Sequence, residues 1–574
     1  MSFIKETEEY LKSVLKECGY ELEEVVLESS SRRDLGEFQI NCAMNLAKKY
    51  GKNPREIAEE IVKQLDDRFE NVNIAGPGFI NVTINEKKLL ERMNNSINNF
   101  DELIDKHKEK KVIIDYGGAN AAKALHVGHM RSANIGEAIK RLAKKLGDNI
   151  IGDVHLGDLG RQAGMLISEY RLMHPDSVFF DPNYEGEYPK IDLTIKDLGR
   201  MYPKASAAAK ENEERMEEVR EITAEIDKGH KAYQALWKQM VDISSVEIKN
   251  VYDKLNCHFE LWEGELSSFK NIPATLEIMK PYMYESNGAL VCDVAKEDDK
   301  KPMPPLMVIK SDGATIYGTR DLATLYARIR DYNPDEIWYV VDERQSLYFE
   351  QVFRACYKSG LVPKTCLLNH YGFGTVNGKD GKPYKTRDGG VLELQALLDL
   401  IREELKKKMD KHEEGEEKEK ILDILTIATL KYADLLPFRT TDYIFDVEKF
   451  CSFEGKTGPY ILYTMVRINS ILNKVDAKDN KITKIYSETE RNIYIKLLEL
   501  SKILIKAYNE KTTSYICEYL FELCSLFNKF YGETNILNES DEEKKTSYIS
   551  LLKLLYNTCK ELLDILAIEI PEKM

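Results

Sequence analysis

The period of the apolar positions changes along the chain, and these changes divide it into three parts. In residues 1–108 apolar residues recur at helical spacing through Asn41–Leu65, and a short strand pattern follows at Val72–Ile74. A turn at Gly76-Pro77-Gly78 leads into the alternating run Phe79–Ile84, so this part reads as a small α+β unit closed by the lysine-rich stretch His107–Lys111. The part from 109 to 442 opens on Val112-Ile113-Ile114-Asp115-Tyr116, an apolar run of buried-strand type, then a Gly/Ala/Asn loop and a helical pattern over Val127–Leu146. The same order returns with Ile150–Val154, Gly157–Gly160 and helical Gln162–Leu172, and strand patterns at Leu306–Lys310 and Ile337–Val341 are each followed by a helix pattern. Strands alternating with helices predict a parallel, Rossmann-like α/β sheet with both faces covered. Ile191–Lys254, charged and helical, reads as an insertion lying on that sheet; with its flanks it takes up about 175–290. Arg402–Lys420 is almost wholly charged and reads as a solvated helix or connector. From 443 to 574 the pattern is all-helical, with Ile493, Leu497, Leu500 and Leu504 on one face and Leu552, Leu555, Cys559, Leu562 and Leu566 on another.

Composition changes this picture little. The 574 residues, at roughly 150 per domain, fit three or four folding units. A formal net charge of −15 excludes a uniformly basic nucleic-acid coat protein but not a local basic groove. Ala121–Gly147 carries six Lys or Arg against one Glu, and a second basic stretch is Lys379–Arg387. Ten scattered cysteines with no C-x-x-C pair predict reduced thiols and no zinc site. The charged N-terminus is not a signal peptide, and no stretch approaches the ~18 apolar residues of a membrane span, so no membrane partner and a cytoplasmic protein are expected.

Three segments carry candidate chemistry. Ala119–His129 joins a buried strand to a helix start, at the carboxyl end of the strand where α/β sheets hold ligands. Helix N-termini offer free N–H groups and a partial charge of about +0.5, which suits phosphate. His126 and His129 could both donate to phosphate oxygens there, Lys123 adds a point charge on the same side, and Gly128 leaves room for a flat base or ribose. Alternatively H-x-x-H is a metal pair, though no third ligand stands at recognisable spacing, or two structural histidines. Gly372–Gly390, glycine-bounded and lysine-rich, reads either as a flap over a polyphosphate or as an exposed basic hairpin. Lys310–Asp321 and Asp342–Ser346 both follow strand patterns and supply carboxylates and amides for a cationic head; the alternative is an internal Arg320–Asp321 network.

At these residues the chain resembles the class I arginyl-tRNA synthetases, and most of all the bacterial branch with Gly-Asp-Val-His-Leu-Gly-Asp, here Gly152–Asp158. His126-Val127-Gly128-His129 is similar to the "HIGH" signature of class I; Asp34–Phe38 and Ala75–Ile80 resemble the family's N-terminal tRNA-binding domain. Tyr188–Lys190 and Tyr202–Ser206 resemble its insertion, and Ser452–Tyr460 and Ile570–Met574 its helical anticodon-binding domain. The resemblance implies activation of L-arginine with ATP, magnesium accompanying the nucleotide, and transfer of the arginyl group to the terminal adenosine 2′-hydroxyl of an arginine tRNA. It implies that His126 and His129 stabilise the α-phosphate, with Gly128 and Thr386 also at the ATP, and that Lys385-Thr386-Arg387 fills the second signature loop with Arg387 near pyrophosphate. Asn120, Tyr317, Asp321 and Gln345 would line the arginine pocket, Asp321 meeting the guanidinium. No resident metal is implied, and a monomer is expected. Two departures stand out. Tyr384-Lys385-Thr386-Arg387 replaces the usual Lys-Met-Ser-Lys, so either Lys123 or Lys385 supplies the missing charge, and Leu159 replaces a common tryptophan. Two other readings stay open: a small-molecule H-x-G-H nucleotidyltransferase and a non-catalytic RNA-binding relative.

Overall fold

The computed structural model describes residues 1–30, 32–382, 392–409, 415–475 and 481–574. They fall into two units, one of Met1–His107, Glu414–Ala428 and Ser452–Met574, the other of Lys108–Glu413 and Thr429–Cys451.

The first unit holds an antiparallel sheet in the order Leu27–Ser29, Phe38–Ile40, Phe79–Ile84, Phe69–Ala75. The helical spacing of Asn41–Leu65 resolves into two helices, Cys42–Tyr50 and Pro54–Val62. Gly51 ends the first in the left-handed region and Asn53 caps the second, whose first residue is Pro54. The C-terminal segment is helical as expected, and Ile493, Leu497, Leu500 and Leu504 are fully buried. The two ends of the chain fold against each other in this unit. The Arg491 Nε donates to Glu37 Oε1 at 2.5 Å, and Asp105 accepts from the hydroxyls of both Ser2 (2.6 Å) and Ser501 (2.7 Å).

The second unit is built on a parallel sheet in the order Leu367–His370, Glu336–Tyr339, Lys111–Asp115, Asn149–Asp153. The chain runs outward in both directions from the central pair, so a crevice opens at the carboxyl ends of Lys111–Asp115 and Glu336–Tyr339. Helix Val127–Lys145 crosses one face, and its Gly136 lies so close to the Tyr116 ring that an added Cβ would stand 2.3 Å from it.

Two expectations are corrected here. Leu306–Ile309 does not join the parallel sheet; it pairs antiparallel with Ala289–Cys292, which pairs in turn with Met283–Ser286. The signal was Asn287-Gly288: both residues have positive φ (52° and 80°), as a two-residue hairpin turn requires. The insertion folds as three helices, Ile195–Glu211, Glu213–Asp227 and Lys231–Lys254, and buries its apolar residues on helix Arg161–Met173 rather than on the sheet. Leu159 packs into that same core with Leu166, Leu198 and Trp237, so the missing tryptophan costs the cluster no continuity.

Arg131 ties the helix of the histidine motif to two segments beyond the sheet, at Gly374 and Thr441. It is 1% exposed; its Nη1 donates to the carbonyls of Gly374 (2.7 Å) and Thr441 (3.2 Å), and its Nε stands 3.4 Å from Asp434 Oδ1. Arg131→Leu would strand a buried carboxylate, so a loss of about 3–5 kcal/mol is expected. All three tryptophans lie in this unit, so a denaturant titration followed by their fluorescence measures it.

Candidate active site

A cavity of about 660 Å³ occupies the crevice at the strand ends. It gathers Asn120, His126, Gly128 and His129 from the first segment with Tyr317, Asp321 and Gln345 from the third. Lys123 is not among its walls: its ammonium lies 5.3 Å from the centre of the Tyr202 ring, and it borders a separate cleft. Lys385, Thr386 and Arg387 lie outside the described residues.

The two histidines are organised by the helix start itself. His126 caps helix Val127–Lys145, and its Nδ1 accepts from the Gly128 N–H at 3.1 Å. His129 Nδ1 accepts from the His126 N–H at 3.3 Å, and the rings stack with centroids 3.7 Å apart. Gly128 makes this possible, because a Cβ there would stand 3.0 Å from the His126 ring. Burial, then Lys123, lowers the pKa of His126; burial, then the charges of His126 and Lys123, drives that of His129 down to about 3. Both rings are therefore neutral at pH 7, and with each Nδ1 accepting, the proton of each sits on Nε2. The sequence pattern offers phosphate both the free N–H groups of the helix end and the two imidazoles. Two of the N–H groups are already used, Val127 N–H by Leu392 O (3.3 Å) and Gly128 N–H by His126. The Nε2 atoms of both rings face the cavity, that of His129 standing 3.5 Å from the Asn120 amide nitrogen.

Three of the six cations of Ala121–Gly147 also prove structural. Arg131 is committed to Asp434 and backbone carbonyls, while Lys140 and Arg141 both pair with buried Glu137, at 3.2 and 2.8 Å.

The other wall is acidic. Asp321 stands in the first turns of helix Tyr317–Tyr332 and accepts from the Tyr348 hydroxyl. The alternative reading, an internal Arg320–Asp321 network, is not what forms: Arg320 turns away, its Nε 2.9 Å from Glu265 Oε2 and its guanidinium over the Tyr317 ring. Burial raises the pKa of Asp321, opposed by the Tyr348 hydrogen bond and by His155, Arg328 and Arg320. Glu265 lines the same cavity and is likewise pushed up by burial, with Arg320 opposing and Asp321, Asp158 and Asp227 adding to the rise. Sequence reasoning missed Glu265, because it follows no strand of the parallel sheet. It is positioned instead by Gly264, whose backbone bridges Leu156.

Asp115 and His155 line the floor, and Asp153, the register partner of Asp115 on the adjacent strand, lies beside them. Ligand atoms of these three residues lie within 4.8 Å of one another, yet Arg328 Nη2 already donates to Asp115 at 2.6 Å and to Asp153 at 2.5 Å. A guanidinium fills the place a cation would take, so this cluster does not fit a metal ion.

Comparison with known proteins agrees with this layout along the whole chain. The family model "tRNA synthetases class I (R), catalytic domain" matches residues 92–447, the DALR anticodon binding domain 461–574, and the arginyl tRNA synthetase N terminal domain 5–84. The arginine–tRNA ligases of Alkaliphilus oremlandii and Agathobacter rectalis are each 43% identical; the alignments cover 100% and 99% of this chain and 99% of each relative. Among solved structures, the arginyl-tRNA synthetase of Plasmodium falciparum superposes with a TM-score of 0.81 at 24% identity, covering 100% of this chain and 99% of that one. The Thermus thermophilus enzyme superposes at 0.79 and 20% identity over 100% of both. At such identities the superpositions speak for the fold; the match of three family models and of full-length relatives shows that the chain belongs to the class I arginyl-tRNA synthetases.

Proposed function

We propose that the protein activates L-arginine with ATP to arginyl-adenylate and pyrophosphate, then transfers the arginyl group to the terminal adenosine of an arginine tRNA. The observation that carries this is the pairing, in one cavity, of two neutral imidazole donors with the buried carboxylates Asp321 and Glu265. The arginine carboxylate oxygen attacks the α-phosphorus, an O–P bond forms, and the bond to pyrophosphate breaks. His126 and His129 hold the α-phosphate oxygens through Nε2–H, stabilising charge as it gathers there. Asp321 takes the guanidinium, with Asn120, Tyr317 and Gln345 fixing the rest of the amino acid and Glu265, held by Arg320, completing the acidic wall. Magnesium arrives on the ATP phosphates. Lys385-Thr386-Arg387 and Lys123 are the candidates for the remaining positive charge, Lys123 by leaving the Tyr202 ring.

For tRNA, the segments 1–108 and 443–574 are assigned as binding domains flanking the catalytic 109–442. One surface in support is Arg467, whose guanidinium lies 4.7 and 5.1 Å from the ring centres of the exposed Tyr463 and Tyr531, a flat cationic platform on which a base can stack. A small-molecule nucleotidyltransferase would need neither flanking part, and a pure RNA-binding relative would need no paired imidazoles. No helix among the described residues is long and apolar enough to cross a membrane; the reading includes a cytoplasmic monomer. ATP–pyrophosphate exchange with each of the twenty amino acids, with and without tRNA, is expected to proceed with arginine alone and to need tRNA. Exchange driven by another amino acid would overturn the proposal.

A further inference from the structure

Asp321 can hold a guanidinium only if its carboxylate is ionised and turned correctly, and its neighbours bear on both conditions. Its sequence neighbour Arg320 is committed to Glu265 and the Tyr317 ring. Arg328, beneath it, is committed to Asp115 and Asp153, and its Nη1 donates to the Tyr339 hydroxyl at 3.0 Å. Among the described residues the hydrogen bond to the Asp321 side chain comes from Tyr348, whose hydroxyl donates to Oδ2. Tyr348 stands in the first turn of helix Ser346–Ser359, and its ring packs on the large apolar core beneath the cavity, edge-on to Phe349 with centroids 5.5 Å apart. The core thus fixes the hydroxyl, and the hydroxyl fixes one oxygen of the carboxylate.

We infer that Tyr348 is a positioning residue for arginine selection: by holding Asp321 Oδ2 it presents Oδ1 to the incoming guanidinium and keeps the carboxylate charged. The inference rests on the assignment of Asp321 to the arginine pocket. Gln345 and Tyr348, one turn apart at one helix end, both line the cavity, and Tyr348 in addition holds the carboxylate that meets the guanidinium. Hydrogen bonds from phenols to carboxylates are of the strong, charge-assisted kind, and leaving the acceptor buried without its donor favours the neutral acid.

The test is arginine-dependent ATP–pyrophosphate exchange on the full chain with tRNA present, comparing the native protein with Tyr348→Phe. The expected result is a KM for arginine raised by about ten- to a hundredfold, the size of one charged hydrogen bond, with smaller changes in kcat and in the KM for ATP. A second readout is the pH dependence of the arginine KM. Removing the donor removes an influence that lowers the Asp321 pKa, so the acid-side rise in KM should begin at higher pH in the variant. A general packing role predicts instead that the KM values for arginine and ATP worsen together with no shift of the pH limb, and that result would overturn the inference. So would an arginine KM within about twofold of native. If the native protein shows no arginine-dependent exchange, the functional reading fails first, and the comparison of the two proteins is not what refutes it.

Discussion

Asp321→Asn is expected to cut arginine activation more than any other single change on the acidic wall. The substitution keeps the size of the side chain and an oxygen that can accept from Tyr348, but removes the charge that meets the guanidinium. Truncating one partner of a desolvated charge pair costs about 2–5 kcal/mol, which is roughly thirty- to several-thousand-fold in kcat/KM for arginine. Glu265 cannot take over, because its carboxylate is shared with Arg320 at 2.9 Å. The loss should be specific. Binding of tRNA, measured by filter retention at fixed salt, should stay near native, since Asp321 lies in the catalytic cavity and the proposed RNA platform at Arg467 is elsewhere in the chain. The pH response follows from the same group. Burial raises the Asp321 pKa, so the site loses its charge, and arginine its partner, at a pH above the ordinary carboxylate value of about 3.9. The arginine KM of the native protein should therefore rise as pH falls towards that raised pKa, and the Asp321→Asn protein should lack this dependence. Equal exchange rates in the two proteins would remove Asp321 from the pocket.

How much of this was legible in the sequence depends on whether the information is local. The strand–loop–helix at Val112–Leu146 was readable because a short apolar run, a glycine-rich loop and a 3.6-residue period stand in order, and the structure has strand Lys111–Asp115 and helix Val127–Lys145 there. The Asn41–Leu65 period was right in kind but hid a break, which Gly51, Asn53 and Pro54 mark clearly once turn chemistry is given weight beside periodicity. Leu306–Ile309 was misplaced because an apolar run does not name its partner strand; the hairpin at Asn287-Gly288 does, but lies nearly twenty residues upstream.

The site divides along the same line. Asn120, His126, Gly128, His129, Tyr317, Asp321 and Gln345 follow or continue strand-end segments, and the structure brings all seven to one cavity. Glu265 and Tyr348 reach that cavity by tertiary packing alone: one through the Leu156–Gly264 bridge, the other through a ring seated in the core. Charge counting failed most plainly. Six cations against one anion over Ala121–Gly147 looked like a phosphate groove, yet Arg131, Lys140 and Arg141 turn inward to Asp434 and Glu137. A count along the chain cannot distinguish a cation that faces solvent from one that neutralises a buried carboxylate.

His129→Ala should lower ATP–pyrophosphate exchange by about 10²–10³-fold, the usual effect of removing one preorganised donor from a developing oxyanion. The preorganisation is visible in the structure: the ring is 8% exposed, stacked on His126 at 3.7 Å, and oriented by the His126 N–H on Nδ1. A ring so held cannot turn to offer the wrong nitrogen, so little reorganisation is needed when charge appears on the phosphate. His129→Gln, which keeps an N–H on a side chain of similar reach, should lose less than His129→Ala, whereas a merely structural histidine would show the opposite order or none. The depressed pKa adds a check independent of activity. In the unfolded chain this histidine titrates near 6.5, and in the folded protein near 3. Between those values the unfolded state binds the extra proton, so the stabilisation present above pH 6.5 is lost progressively as pH falls towards 3. His129→Gln carries no such proton. Its unfolding midpoint in denaturant should therefore decline less steeply with acid than that of the native protein. Parallel declines would mean that the ring is not held neutral by its surroundings, and the assignment of Nε2–H as the phosphate donor would fall with it.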